Sequence, residues 1–497
     1  MPDQVLIFAP VSLWEMHHSQ AIEIAWNQIE NGKSVIVVHC ESSITSCHAN
    51  PKKLQWKCEE CIFQSRFSIR NHFPSNVKHV WLDKEKVDDD LGSYFDLTIR
   101  NHEQLAAFRY DNLPFGQHVA GQLVSDKRDI FLSEYQVKNQ GIPALVNMIQ
   151  IYRSFSEIFQ KSISRCFIWN GRRAAEVACA LAAQKYGIKT QYFELGANFG
   201  RYLVSDNSIS SIYGVRKEIE QWRTERETRD ELNSAFNIGR KYLLGLREGR
   251  SSTPHYKNML NGYNGEYVLP KIEKSRILVL FTSSAWEFAA SSDDAFLSGE
   301  FRNQYDLYKK ILSDESILQG FEVIVRWHPN LKTAGINEVR KMNNVIQETN
   351  NVRHILPQEQ INSYSIIKIA DYVVSVGSTI GIEASFLGKP SIVLGNAEYS
   401  GLGSVYEPKD YQDFVHLLDS KLEALGPEGA LIWADWRSSF GTPFRHITFK
   451  VDKYYMGNKR VISRSLRQRI RRKWFSFKHS IKKFIKAISN AVSKQDT

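Results

Sequence analysis

The chain has 497 residues, too many for one ordinary core, and its 42% hydrophobic and 12% aromatic content suits two well-packed α/β domains. The net charge of +10 is local: residues 459–497 hold 13 of the 64 Lys and Arg but one of the 54 acids, leaving the body close to neutral. No basic start with an apolar stretch and cleavage site opens the chain, and no run of about 18 apolar residues occurs, so neither a signal peptide nor a spanning helix is expected.

Val5–Pro10 (VLIFAP) reads as a buried strand. HSQAIEIAWNQIENG follows at helical spacing and closes at Gly32, and SVIVVHC reads as the next strand. This βαβ unit implies a parallel sheet. Just beyond it Cys40, Cys47, Cys58 and Cys61 cluster, with a Cys-x-x-Cys pair that suits a structural zinc site; ordinary free thiols are the alternative. Residues 70–160 alternate too weakly for assignment. The strand–helix–strand pattern returns in CFIWNGRRAAEVACALAAQKYGIKTQYFELG, and a highly charged helical stretch from Lys217 to about Arg250 is expected to close the first half.

Residues 251–274 are polar and rich in turn residues, as a linker would be. A second αβ series follows: RILVLFTSS, a helix around Phe301–Leu318, FEVIVRWHP, a short strand near Val352–Leu356, a helix over Ser363–Ala370, YVVSVG, a further helix, SIVLG, and a last helix near Tyr411–Leu425. The expected division is 1–250, the linker, 275–458, and a tail over 459–497. In the tail, Ile462, Leu466, Ile470, Trp474, Phe477, Ile481, Phe484, Ile485, Ile488 and Val492 recur at steps of three and four, with Arg and Lys between them. That pattern fits a basic amphipathic helix lying on an anionic membrane surface. A helix docked on the body, or a nucleic-acid arm, are the alternatives; nucleic acid is not the expected partner.

Open α/β sheets bind ligands beyond the carboxyl ends of their strands, so strand-end residues carry the functional reading. In VVSVGSTIGIEASFLGKPSIVLG, Ser378, Thr379 and Gly381 lie where a strand hands over to a helix. Unpaired N–H groups and hydroxyls there suit an anion, Gly381 would admit a ligand to the backbone, and Glu383 could accept from a sugar hydroxyl. A plain helix cap explains the same residues. Arg326 and His328 end the strand in FEVIVRWHP, and Ser283 and Ser284 end the one in RILVLFTSS, each a candidate for donor contact. In the first half the strand-end candidates are His17, His18 and Glu194 for a catalytic base, and Asn170 and Arg172 for the acceptor or the cleft wall. Either histidine can instead cap the helix that follows.

RWHP, SVGSTIGIEASFLGKPSIVLG and the nearby Tyr399 of NAEYSGLG resemble the donor-binding half of GT-B glycosyltransferases, in particular capsule polysaccharide biosynthesis proteins, which include Kdo transferases. The resemblance covers roughly residues 275–410. It implies an α/β fold of two Rossmann-like domains facing a cleft. It also implies a nucleotide-sugar donor whose phosphate is held without metal by His328, Ser378 and Thr379, and a lipid-linked or growing glycan as acceptor at the cytoplasmic face of the membrane. UDP-N-acetylglucosamine 2-epimerases share the turn and the Gly-Lys-Pro, but the Thr-Glu-Arg-Pro-Glu run expected after them is missing. A polyol-phosphate transferase on the same scaffold, or a noncatalytic glycan- or nucleotide-binding assembly factor, are the remaining readings.

Overall fold

The computed structural model describes residues 3–82, 98–208, 211–226, 228–250, 265–268, 276–287, 301, 303–349 and 352–463. Most of the linker and all of the tail beyond 463 lie outside the described residues. In the first half, β1 (Gln4–Phe8), α1 (Glu15–Glu30), β2 (Ser34–Cys40), α2 (Gln55–Asn71) and β3 (Lys78–Leu82) come first. The stretch that resisted assignment holds α3 (His102–Ala107), α4 (Phe115–Lys127) and α5 (Ile142–Phe159). Then follow β4 (Arg165–Trp169), α6 (Ala174–Lys185), β5 (Lys189–Leu195) and β6 (Arg201–Ser205).

β1, β2 and β4 are apolar runs buried along nearly their whole length, as strands covered on both faces must be. The chain steps outward from β1 to β2 and β3, then returns to the other side of β1 for β4 and β5, all in parallel. The order therefore reverses between β1 and β4. Beneath the sheet, α5 brings Phe155 edge-on to Phe8, with ring centroids 4.8 Å apart.

The second half repeats the plan with five parallel strands: β7 (Ile277–Phe281), β8 (Glu322–Arg326), β9 (Arg353–Ile355), β10 (Tyr372–Ser375) and β11 (Ser391–Val393). Their order, β11-β10-β7-β8-β9, reverses between β7 and β10. Both halves are thus doubly wound α/β sheets, as expected.

Three features depart from the expected boundaries. The charged stretch forms α7 (Ile212–Thr224) and α8 (Arg229–Arg247), which pack on the second half against α15 (Glu428–Ser439). A Cβ on Gly239 would come within 2.1 Å of the Leu431 carbonyl oxygen, so α8 and α15 touch backbone to backbone only through glycine. Second, residues 128–131 plug into the second half. Ile130 N–H donates to Glu338 at 2.8 Å, Asn337 N–H to Asp129 at 3.0 Å, and Gly335 N–H to the Arg128 carbonyl at 2.8 Å.

Third, the chain returns to the first half at its end. β12 (Thr442–Pro443) pairs with β6, and the antiparallel β13 (Thr448–Lys450), β14 (Lys453–Met456) and β15 (Lys459–Arg460) dock beside α1. Residues 459–463, expected to open the tail helix, end in this small sheet instead, with Val461 and Ile462 buried in the first core. Those two side chains find a preformed apolar wall, which outweighs a helical start.

Candidate active site

The carboxyl end of the first sheet opens on a cavity of about 400 Å³ at the point where the strand order reverses, walled by Trp14, His17, Trp169, Asn170, Arg172 and Glu194. Across it stand Glu398, Trp436, Arg437 and Phe440 of the second half, with Glu218 of α7.

Glu194 is the last residue but one of β5, and its carboxylate accepts from the Asn170 side-chain amide at 2.6 Å and from the N–H of its neighbour Leu195 at 3.0 Å. His17 Nδ1, on the first turn of α1, lies 3.3 Å from the same carboxylate. The imidazole is wedged between indoles, with ring centroids 4.4 Å from Trp169 and 5.3 Å from Trp14. Asn170 takes a left-handed φ of 58° directly after β4, which turns its amide back over the strand ends. His17, Asn170 and Glu194 therefore form one cluster, from the start of α1 and the ends of β4 and β5. Arg172 leans the other way, donating to Ser125 at 2.8 Å.

His18 is corrected. It is 1% exposed, on the opposite side of α1, among His39, His72, His79 and Phe73. Burial and the neighbouring histidines push its pKa down to about 3, and it does not line the cleft. Glu15, one turn away, is held by the Arg460 guanidinium at 2.8 and 2.5 Å.

In the second half, the loop after β7 ties its neighbours together. Thr282 Oγ1 accepts from His328 N–H at 2.8 Å, Ser283 Oγ donates to the Val376 carbonyl at 2.6 Å, and Ser284 Oγ lies 3.0 Å from His328 Nδ1. Asn330 N–H also points at Nδ1, at 3.2 Å. A backbone N–H can only donate, so Nδ1 is the acceptor and the neutral ring carries its proton on Nε2. Burial and the nearby Arg326 charge lower the His328 pKa to about 4, so the ring is neutral at pH 7.

Five donor-side expectations change. Arg326 is 1% exposed and donates to the carbonyls of Leu356, Glu359 and Ile361, so it clamps the segment after β9. Ser283 is spent on Val376. Thr379 Oγ1 donates to Glu383 at 2.9 Å, and Tyr364 occupies the other Glu383 oxygen at 2.5 Å. Burial raises the Glu383 pKa while those two bonds lower it. Gly381 leaves room for protein: an added Cβ would meet Ser375 Oγ at 2.5 Å and the Tyr399 hydroxyl at 2.6 Å. That hydroxyl donates to the Ser378 carbonyl at 2.5 Å and fixes the turn. Among the described residues Ser378 Oγ has only a long 3.5 Å contact, from Ile380 N–H, and it is half-exposed at the start of α13 (Ile380–Phe386).

Cys40, Cys47, Cys58 and Cys61 are free thiols, and among the described residues no group of three or more Cys, His, Asp or Glu is placed to hold a metal. Burial raises Cys47 and Cys61 to about 12, so both stay protonated. Cys58 instead receives the Asn50 amide at 3.3 Å.

Arg172, on the cavity wall, has its pKa lowered by burial and the Arg173 charge, with the Glu287 carboxylate of the second half opposing them; Glu287 accepts from the Asn330 amide at 2.9 Å. Trp14 and Glu218 escaped the sequence reading. Trp14 stands within the post-β1 stretch that was singled out, and its strand-end position was the available signal. Glu218 sits in a helix of mixed charge, with nothing to separate it from its neighbours.

Comparison with solved structures finds weak likenesses. Thermosulfurimonas dismutans KpsC, described as a beta Kdo 2,7 transferase, is 17% identical over 57% of this chain and 80% of its own, with a TM-score of 0.34. The beta Kdo 2,4 transferase of the same protein gives 16%, 55%, 80% and 0.32. The UDP-GlcNAc 2-epimerase from Neisseria meningitidis bound to UDP-GlcNAc is 13% identical over 87% of this chain and 97% of its own, with a TM-score of 0.26. No curated protein matches the sequence. Residues 295–416, about a quarter of the chain and the part that carries His328, Ser378 and Thr379, match the family model described as "Capsule polysaccharide biosynthesis protein".

Proposed function

We propose that the protein is a GT-B-like glycosyltransferase of capsule polysaccharide synthesis, moving a sugar from a nucleotide donor to a glycan or lipid-linked acceptor at the inner face of the membrane. The observation that carries the reading is the strand-end carboxylate of Glu194, held by an amide and a histidine in a cavity that both halves line. In the second half, a neutral imidazole N–H ends β8, tied through Ser284 and Ser283 to the strand that leads into α13. The match of residues 295–416 to capsule biosynthesis proteins supports the same reading.

In the proposed reaction, Glu194 takes the proton from the acceptor hydroxyl, with His17 and Asn170 orienting its carboxylate. The acceptor oxygen bonds to the anomeric carbon as that carbon's bond to the phosphate oxygen breaks. The electron pair leaves on the phosphate. His328 Nε2–H, Ser378 Oγ and the first N–H groups of α13 hold the charge that develops there. No metal is needed for those contacts. Trp14 and Trp169 would offer apolar ring faces to a sugar of the acceptor.

Thermal-shift titration with CMP, CDP, UDP, GDP and TDP tests the donor side. One nucleotide should stabilise the wild type, and His328→Ala and Ser378→Ala should both remove the effect. Glu194→Gln should keep the nucleotide shift yet lose about 10²- to 10⁴-fold in turnover. If every nucleotide fails, or both donor-side variants bind like wild type, the site is wrong. Binding without any turnover favours a noncatalytic assembly factor, and glycerol phosphate in the product favours a polyol-phosphate transferase.

A further inference from the structure

The loop between β2 and α2 starts at the carboxyl edge of the first sheet, where open α/β sheets carry their functional loops. Two buried amides peg its backbone. Asn147 of α5 accepts from Thr45 N–H at 2.9 Å and donates to the Ser43 carbonyl at 2.8 Å, and Gln122 of α4 donates to the Ser46 carbonyl at 3.1 Å. The loop then delivers His48 to the indole wall of the candidate active site. The His48 ring centroid lies 4.5 Å from that of Trp14 and 4.9 Å from that of Trp169, the same two indoles that wedge His17.

His48 also borders a second, smaller cavity of about 10 Å³, shared with Val11, Ile44, Gln122, Arg173 and Glu176. That is room for one water molecule. His48 Nε2 and Glu176 Oε2 are both shut from solvent, and neither has a hydrogen-bond partner among the described residues. Folded interiors seldom leave two such atoms bare beside one cavity. Burial and the Arg173 charge hold His48 neutral, and the same charge reaches Glu176, so a cation is repelled. Water suits both groups. It donates to Nε2, and it either donates to the Glu176 carboxylate or accepts from the protonated acid.

We propose that one water bound between Glu176 and His48 locks the His48 ring against Trp14 and Trp169, making both residues positioning residues for the indole wall that meets the acceptor sugar. The inference rests on the proposed reaction, in which those indoles face the acceptor. The pegs on the loop stop at its backbone. Ring contacts alone do not distinguish the two flips of an imidazole, which exchange Nε2 with Cε1, whereas a bond to Nε2 does.

A crystal structure of the unmutated chain tests the site directly. One ordered water should lie within about 3.2 Å of both Glu176 Oε2 and His48 Nε2. A dry cavity, or a direct bond between the two side chains, would overturn the inference. Glu176→Gln keeps a polar group of the same shape and should keep the water, while Glu176→Leu should lose it. Transfer can be assayed with the donor that the nucleotide titration selects, using membranes of a strain lacking the protein as acceptor. Glu176→Leu should then need on the order of tenfold more acceptor for half-maximal rate, with the saturated rate far less affected, and Glu176→Gln should behave like wild type. His48→Leu should match Glu176→Leu, and the double variant should be no worse than either. The nucleotide-induced thermal shift should be the same in all of them. If Glu176→Leu lowers the melting temperature but leaves the acceptor requirement unchanged, the pair is structural, and the inference falls while the glycosyltransferase reading stands. If the water is present but wild type transfers no sugar, that reading falls and takes the positioning role with it.

Discussion

His328 and Glu176 show how burial sets charge residue by residue. His328 is kept neutral, so it can offer a phosphate a directed N–H but no positive charge. Glu176, in the first turn of α6, is 1% exposed, one of its carboxylate oxygens has no partner among the described residues, and burial raises its pKa to about 7. The folded state therefore keeps a proton that the unfolded chain gives up near pH 4.5. Stability from this group is whole below pH 4.5 and is lost as pH rises through 7, by roughly 3 kcal/mol in total. Glu176→Gln removes that loss. Urea titrations should find the variant more stable than wild type at pH 8 and no better at pH 4.5. An equal change at both pH values would rule out titration as the cause.

The turn between β10 and α13 answers at the scale of an element. Its shape depends on Tyr399 reaching over Gly381 to the Ser378 carbonyl, so helix start, turn and the chain after β11 move together. Gly381→Ala should cost about 1–3 kcal/mol by overpacking. Tyr399→Phe should cost about 1 kcal/mol for the lost hydrogen bond. Because removing the hydroxyl also makes room for the methyl group, the double variant should lose less than the two costs combined. A double-mutant cycle by urea unfolding measures this, and simple additivity would mean that the crowding is relieved elsewhere. The sequence displayed this turn well, since β-branched residues ending in Gly-Ser-Thr mark a strand edge by periodicity alone. It could not display Tyr399 or Tyr364 as partners, because they arrive from other elements. Thr379 and Glu383 looked ligand-facing for the same reason: a hydroxyl and a carboxylate one turn apart read alike whether they bond each other or a substrate.

At the scale of the molecule, the two doubly wound halves were legible because buried parallel strands are long apolar runs. The returns between halves were not. β12 is two residues long and β15 is two, too short for any period to show, and α7 and α8 hide their contact stripe among charges. His17 and Glu194 could each be named as strand-end groups, yet their meeting depends on β1 and β5 flanking β4, which is a matter of sheet order. The final return also creates a pH-sensitive seam. His18, His39, His72 and His79 crowd around Phe73, and His72 Nε2 lies 3.0 Å from the Arg460 carbonyl of the returning sheet. Burial lowers all four pKa values, His79 to about 4 and His18 to about 3, and Lys459 adds to the effect on His72. The folded state thus takes up protons less readily than the unfolded chain. Stability is complete above pH 6.5 and is lost as pH falls toward 4, about 3 kcal/mol of it through His18 alone. His18→Leu, at a ring whose nitrogens have no partners among the described residues, should flatten the acid limb of a melting-temperature profile between pH 6.5 and 4. Because the seam holds the last strand of the described chain to α2, exchange protection of 453–463 should fall with acid before the second half loosens. Simultaneous loss in both halves would mean that the returning sheet is no separate unit and that the domains unfold as one.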